Sequence, residues 1–249
     1  MPFTFSHPAI VLPLRYLPKK HVSLTGLIVG SVVPDFEKFI NMGPGNTLSH
    51  NWMGVFLFDL PLGLLLCFLF HGLVRNPLIE HLPTFISKRF QHLKSFIWIR
   101  HFRLNYLIVI LSILFGAITH IGWDSMTHKQ GLIVRLIPAI TNEVTIVGFV
   151  HPIFSILDIL STLIGGLYVF ITISNLPVKV QRMHNTHYKS LFWIIVLLTA
   201  LAIMFMRIGV GLSHLWHWEL VITSISALLG GILVASVFVK LNLLKLLCK

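Results

Sequence analysis

The sequence predicts an all-α protein, a multi-pass bundle of about five membrane-spanning helices forming one integral membrane domain over residues 1–249. Three observations predict it. Hydrophobic residues make up 55% of the chain, charged residues only 11%, and the mean hydropathy is +0.86. Soluble domains carry roughly 25% charged residues. A chain so poor in charge cannot cover a water-facing surface, so its solvent is largely lipid. Second, the apolar residues gather into five runs, at about 52–74, 104–123, 150–174, 188–208 and 218–239. Each approaches the ~20 residues that cross ~30 Å of hydrocarbon. Third, the net charge of +11 sits in the connections between these runs. That placement points to membrane topology rather than to nucleic acid.

The elements follow in order. The first twenty residues are interrupted by His7, Pro8, Pro13 and Pro18, and their charges follow the apolar part, so they do not read as a cleavable leader. The apolar stretch Val22 to Pro34 is too short to span and reads as a short buried or re-entrant helix ended by Pro34. After the first span, residues 78–100 mix apolar side chains with Lys88, Arg89, His92, Lys94 and Arg100, the pattern of an interfacial amphipathic helix. Small residues (Ser155, Gly165, Gly166, Gly230, Gly231) suit close helix packing. Cys67 lies in a span and Cys248 next to the end, so neither a disulfide nor a cysteine zinc site is expected.

Orientation follows from Lys and Arg. The 75–103 and 175–189 connections and the C-terminal tail hold twelve of them, against Lys129, Arg135 and Arg207 on the other side, where Arg15, Lys19, Lys20 and Lys38 also fall, mildly against the rule, unless the 22–34 helix crosses. The basic face, with the C-terminus, is placed in the cytoplasm. The histidines and acids then sort to the opposite face: Asp35, Glu37, His50, His120, Asp124, His128, His151, His214 and His217. His7 joins them if the 22–34 helix does not cross.

The strongest local motif is His120-Ile-Gly-Trp-Asp124-Ser-Met-Thr-His128. On a helix, four residues advance about 400°, so these three side chains line one face at successive turns. Imidazole and carboxylate together suit zinc, manganese or iron. The plain alternative is a helix that ends near Asp124 with polar residues at the interface. Gly30-Ser31-Val32-Val33-Pro34-Asp35-Phe36-Glu37 reads as a turn that exposes a carboxylate, or as a simple capping aspartate. Leu48-Ser49-His50-Asn51-Trp52 places a histidine at the mouth of the first span, and Thr4-Phe5-Ser6-His7-Pro8 places another in the N-terminal segment. Asp59 and Asp158 fall within spans, either pairing inside the bundle or marking a polar path.

The runs MPFTFSHPAIVLPL, GSVVPDFEKF and LSHNWMGVFLFDLP, followed by the His-x3-Asp helix, resemble the DUF4184 family of uncharacterised bacterial membrane proteins. In motif order that family is similar to the DUF457-type membrane-bound metal-dependent hydrolases, and more distantly to helical zinc-dependent phospholipases C. The resemblance implies a site built from His7, Asp35, His50, His120 and Asp124, and helical spacing adds His128. The chain departs from the hydrolase pattern at Glu37, where an Asp is usual, and after His50, where Asn51 and Trp52 replace a basic residue and a nearby second His.

The expected function is therefore a metal-dependent hydrolase at the non-cytoplasmic face of a bacterial inner membrane. Its ligands would be His7, Asp35, His50, His120, Asp124 and His128, holding a divalent ion, zinc foremost and otherwise manganese or iron. Glu37 would be a general base or would orient a ligand histidine. Membrane lipid is the expected partner, a lipid-linked, amphiphilic or phosphoester molecule the expected substrate, and nucleic acid is not expected. The alternative is a non-catalytic membrane protein: a transporter, a metal-binding scaffold or an envelope-complex subunit. A transporter would gather its polar groups near the midplane, around Asp59 and Asp158, and no inverted repeat is visible.

Overall fold

The structure, a computed structural model, describes residues 3–18, 20–178, 188–209 and 217–243. Lys19, His214, Cys248 and the basic residues within 179–187 and 244–249 lie outside the described residues.

The described chain is a multi-helix bundle with a single small hairpin. Its helices are α1 (Pro8–Val11), α2 (Leu24–Val32), α3 (Phe36–Asn41), α4 (Trp52–His81), α5 (Thr84–Phe90), α6 (Trp98–Thr127), α7 (Leu132–Leu136), α8 (Ile153–Ser174), α9 (Lys189–Gly209) and α10 (His217–Lys240). Five of these, α4, α6, α8, α9 and α10, are long and apolar enough to cross a membrane. They fall on the five apolar runs, with two of them, α4 and α6, extended to 30 residues each.

The polar stretch between the first two spans is divided. Residues up to His81 continue α4, Pro83 has no amide hydrogen to extend it, and the remainder forms α5 and a 3-10 turn over Gln91–Ser95. The third span begins at Ile153 rather than at 150, because Glu143–Ile146 (β1) and Phe149–Pro152 (β2) pair as an antiparallel hairpin. His151 is thus a strand residue and not the opening of a span. The turn residues Val147 and Gly148 both have positive φ, 50° and 82°, as a tight two-residue hairpin turn requires. The β-branched run around a Val-Gly step was the available signal for it.

The chain gathers into two compact units that interleave in sequence. One comprises Met1–Asp35, Thr47–Leu65 and His101–Asn175. In it α2 packs directly on α6. A Cβ on Gly30 would lie 2.2 Å from the Ile113 carbonyl oxygen, and one on Gly116 would lie 2.5 Å from that of Leu27. Only glycine allows backbones this close, which is how small residues join helices where lipid offers no hydrophobic drive. The Ser23 amide donates to Ser112 Oγ at 2.9 Å, while Ser23 caps α2. Leu27, Val109, Ile113 and Ala117 are buried along this seam. The break in α6 at Asn105 (φ −137°) is bridged by its side chain, which donates to the His101 carbonyl at 3.0 Å.

The other unit comprises Phe36–Asn46, Leu66–Arg100 and Leu176–Lys249. Its core is Phe192, Val196 and Ala235, where α9 meets α10 over Gly231. The indole of Trp193 donates to the His81 carbonyl, and buried Arg75 donates to the carbonyls of Phe96 and Lys94, tying the inter-span segment down.

Candidate metal centre

Ser112, Gly116, His120, Asp124 and His128 recur at four-residue intervals along α6 and its C-terminal extension. The upper part of this face holds α2 through Ser112 and Gly116, and the same face then presents the polar side chains. The helix runs three residues past Asp124, ending at Thr127, and the His128 amide still donates to the Asp124 carbonyl at 3.1 Å.

The N-terminal segment folds back to meet it. At nine residues, α2 is about 14 Å long, well short of the ~30 Å of bilayer hydrocarbon. His7 precedes this helix and Asp35 follows it in a 3-10 turn, yet both converge on Asp124. The segment around His7 is held by α8: the Phe3 amide donates to Thr162 Oγ1 at 2.9 Å, and Ser6 packs over Gly165. His7 is fully buried, its ring stacked on that of His120 with centroids 3.8 Å apart, and its Nε2 lies 3.5 Å from Asp124 Oδ1.

His50 enters from the start of α4. Asn51 caps that helix, its Oδ1 accepting from the Gly54 amide at 2.8 Å and its Nδ2 donating to the Leu48 carbonyl at 3.0 Å. This pins the turn that carries His50, whose Nδ1 meets Ser49 Oγ at 2.9 Å.

Asp35, His50, His120 and Asp124 each offer one ligand atom to a common point, all four atoms within 4.8 Å of one another. His50 Nε2 is 3.3 Å from Asp124 Oδ2 and 3.9 Å from Asp35 Oδ1; His120 Nε2 is 3.5 Å and 3.7 Å from the same two oxygens. These separations exceed the usual ~2.9 Å of a hydrogen bond. They are close to the ~3.4 Å edges of a four-ligand shell at ~2.1 Å from an ion.

The hydrogen bonding around His120 fixes the direction of its ring. His120 Nδ1 donates to the Ser31 carbonyl at 2.8 Å. In a neutral imidazole the other nitrogen is then an acceptor. His120 Nε2 is buried without a hydrogen-bond partner among the described residues, facing two carboxylate oxygens. His120 Nε2 and the Asp35 and Asp124 oxygens thus converge on one buried point, an arrangement that a proton on the ring or a cation among them stabilises. The outer atoms are also fixed: Thr4 Oγ1 donates to Asp35 Oδ2 at 2.6 Å. Outer partners of this kind set the tautomer and direction of metal ligands.

Of the residues expected from sequence, the structure brings Asp35, His50, His120 and Asp124 into the four-ligand group, with His7 packed beside it. His128 lies outside: its Nδ1 bonds the Asp124 carbonyl at 2.9 Å and is 3.9 Å from Asp124 Oδ1. Glu37 is buried and belongs to the second unit. Asp59 is buried in α4, and Asp158 lies in α8. The supporting roles of Thr4, Ser31, Ser49 and Asn51 come from the structure rather than from the motifs that contain them. Asn51, standing directly before an apolar run, carried a recognisable capping signal. Ser31 carried none, since it acts through its carbonyl.

No curated protein and no solved structure matches this chain. The profile of one family, described as "Domain of unknown function (DUF4184)", matches residues 1–237. The chain belongs to the DUF4184 family.

Proposed function

We propose that this protein is a membrane-bound metal-dependent hydrolase. One observation carries the reading: a buried imidazole nitrogen with no hydrogen-bond partner faces two carboxylates and a second imidazole, a donor set suited to zinc and also to manganese or iron. Asp35, His50, His120 and Asp124 would hold the ion, with His7 a further ligand and His128 outside the group. A divalent ion there supplies Lewis-acid chemistry, polarising a phosphoryl or acyl oxygen and acidifying water.

The chain's own groups do the rest. Ser31 and Thr4 hold His120 and Asp35 in register. The stacked His7 and His120 rings, both fully buried, close one side against water. The His50 side chain, 21% exposed, is the open side through which a substrate reaches the group. The substrate class that suits a site at the end of a spanning helix is a lipid-linked or amphiphilic phosphoester. By the charge asymmetry of the connections, the site faces away from the cytoplasm of a bacterial inner membrane, with the C-terminus inside.

The test is elemental analysis of purified detergent-solubilised protein beside Asp124→Ala and His120→Ala, followed by a phosphoester and lipid-ester screen. Stoichiometric metal lost from both variants supports the reading. No metal after reconstitution with zinc, manganese or iron would end it. Metal without hydrolysis would leave a metal-binding scaffold.

A further inference from the structure

The connection between α6 and α8 is oddly dressed for a loop that leaves a membrane. It starts four residues after Asp124 and ends at Pro152, directly against the first residue of α8. Apolar side chains exposed on spanning helices face lipid, but these residues lie beyond the spans. Leu132 and Leu136 on α7 are 62% and 70% exposed, Phe149 69%, and the hairpin tip Val147 90%. Soluble surfaces rarely gather apolar groups this way, and a lone two-stranded hairpin is marginal in water.

The hairpin is also two-faced. Its register pairs Val144 with His151 and Ile146 with Phe149, so Val144, Ile146 and Phe149 share one face, with His151 at its end next to α8. Glu143, Thr145, Val150 and Pro152 share the other. Between Arg135 and the start of α8 the only titratable side chains are Glu143 and His151, and both ends of the connection are tethered to helices long enough to span. An apolar ribbon edge with a more polar back, fixed within one strand length of a span, matches the boundary between headgroups and acyl chains.

We propose that residues 132–150 form a lip embedded in the bilayer interface, its Val144, Ile146, Val147 and Phe149 surface in contact with lipid acyl chains. The inference stands without catalysis. If the hydrolase reading also holds, the lip places lipid beside the site, since it begins where the ligand helix ends.

The test uses the full chain in phosphatidylcholine nanodiscs, in a Cys248→Ser background, Cys67 being fully buried. An environment-sensitive NBD fluorophore is attached at Val147→Cys, at Phe149→Cys and, for the opposite face, at Thr145→Cys. Embedding predicts blue-shifted emission at 147 and 149, at least twofold quenching by doxyl-labelled lipid and little by iodide, with the reverse at 145. Iodide quenching at 147 and 149 would overturn the proposal. Shielding there from both quenchers would also overturn it, by showing that protein covers the lip.

Discussion

His120 and Ser31 are joined by a hydrogen bond of 2.8 Å across 89 residues of sequence, and this bond decides what His120 can do. A carbonyl only accepts, so Nδ1 carries a proton and Nε2 is the ring atom turned toward Asp35 and Asp124. The bond exists because Gly30 and Gly116 let α2 and α6 approach to backbone contact.

That approach is testable at Gly116. The methyl of Gly116→Ala would sit 2.5 Å from the Leu27 carbonyl oxygen, so α2 has to move. Overpacking of this kind costs about 1–3 kcal/mol. The expected outcome is a lower melting temperature in detergent together with weaker zinc binding, read by thermal melts with and without zinc. Unchanged binding would separate the seam from the site.

Thr4→Val removes the hydroxyl that donates to Asp35 Oδ2 while keeping shape and volume. Loss of an outer-shell partner typically lowers metal affinity roughly 10–100-fold. Competition with a fluorescent chelator measures this directly, and an affinity within a factor of two of wild type would count against Asp35 as a ligand.

The two ends of the His120–His128 ladder should behave differently. His120→Ala is expected to abolish metal binding. His128→Ala should leave the stoichiometry intact, because the His128 Nδ1 bonds the Asp124 backbone and stands outside the four-ligand group. Elemental analysis of the two purified variants makes the comparison.

Asn51→Ala removes the cap of α4 and the bond to the Leu48 carbonyl. A lost cap costs about 1 kcal/mol. Since the same turn carries His50, the variant should lose both thermal stability and metal affinity, whereas Asn51→Asp, which keeps the capping oxygen, should recover most of the stability.

Metal should stabilise the fold by linkage. At a free zinc concentration 100 times the dissociation constant, the gain is roughly 2.7 kcal/mol. Melts with added zinc should shift upward and EDTA should reverse the shift, an effect absent in Asp124→Ala.

Much of this protein was decided by composition and local pattern. Five apolar runs with basic connections require membrane helices, because nothing else satisfies the backbone in lipid. The His-x3-Asp spacing on one such run puts both side chains on one face by helical geometry alone. Tertiary structure decided the rest. That His7 belongs beside Asp124 follows from the N-terminal segment folding back onto α8, a contact between residues more than 150 positions apart. That Ser31 and Thr4 hold His120 and Asp35 follows from the glycine seam and the turn at Asp35, where a backbone carbonyl and a hydroxyl act without any spacing to betray them. Periodicity along a chain reports which side chains share a face; which two faces then meet is set by long-range packing, where one missing methyl group at Gly30 or Gly116 is enough to admit the partner.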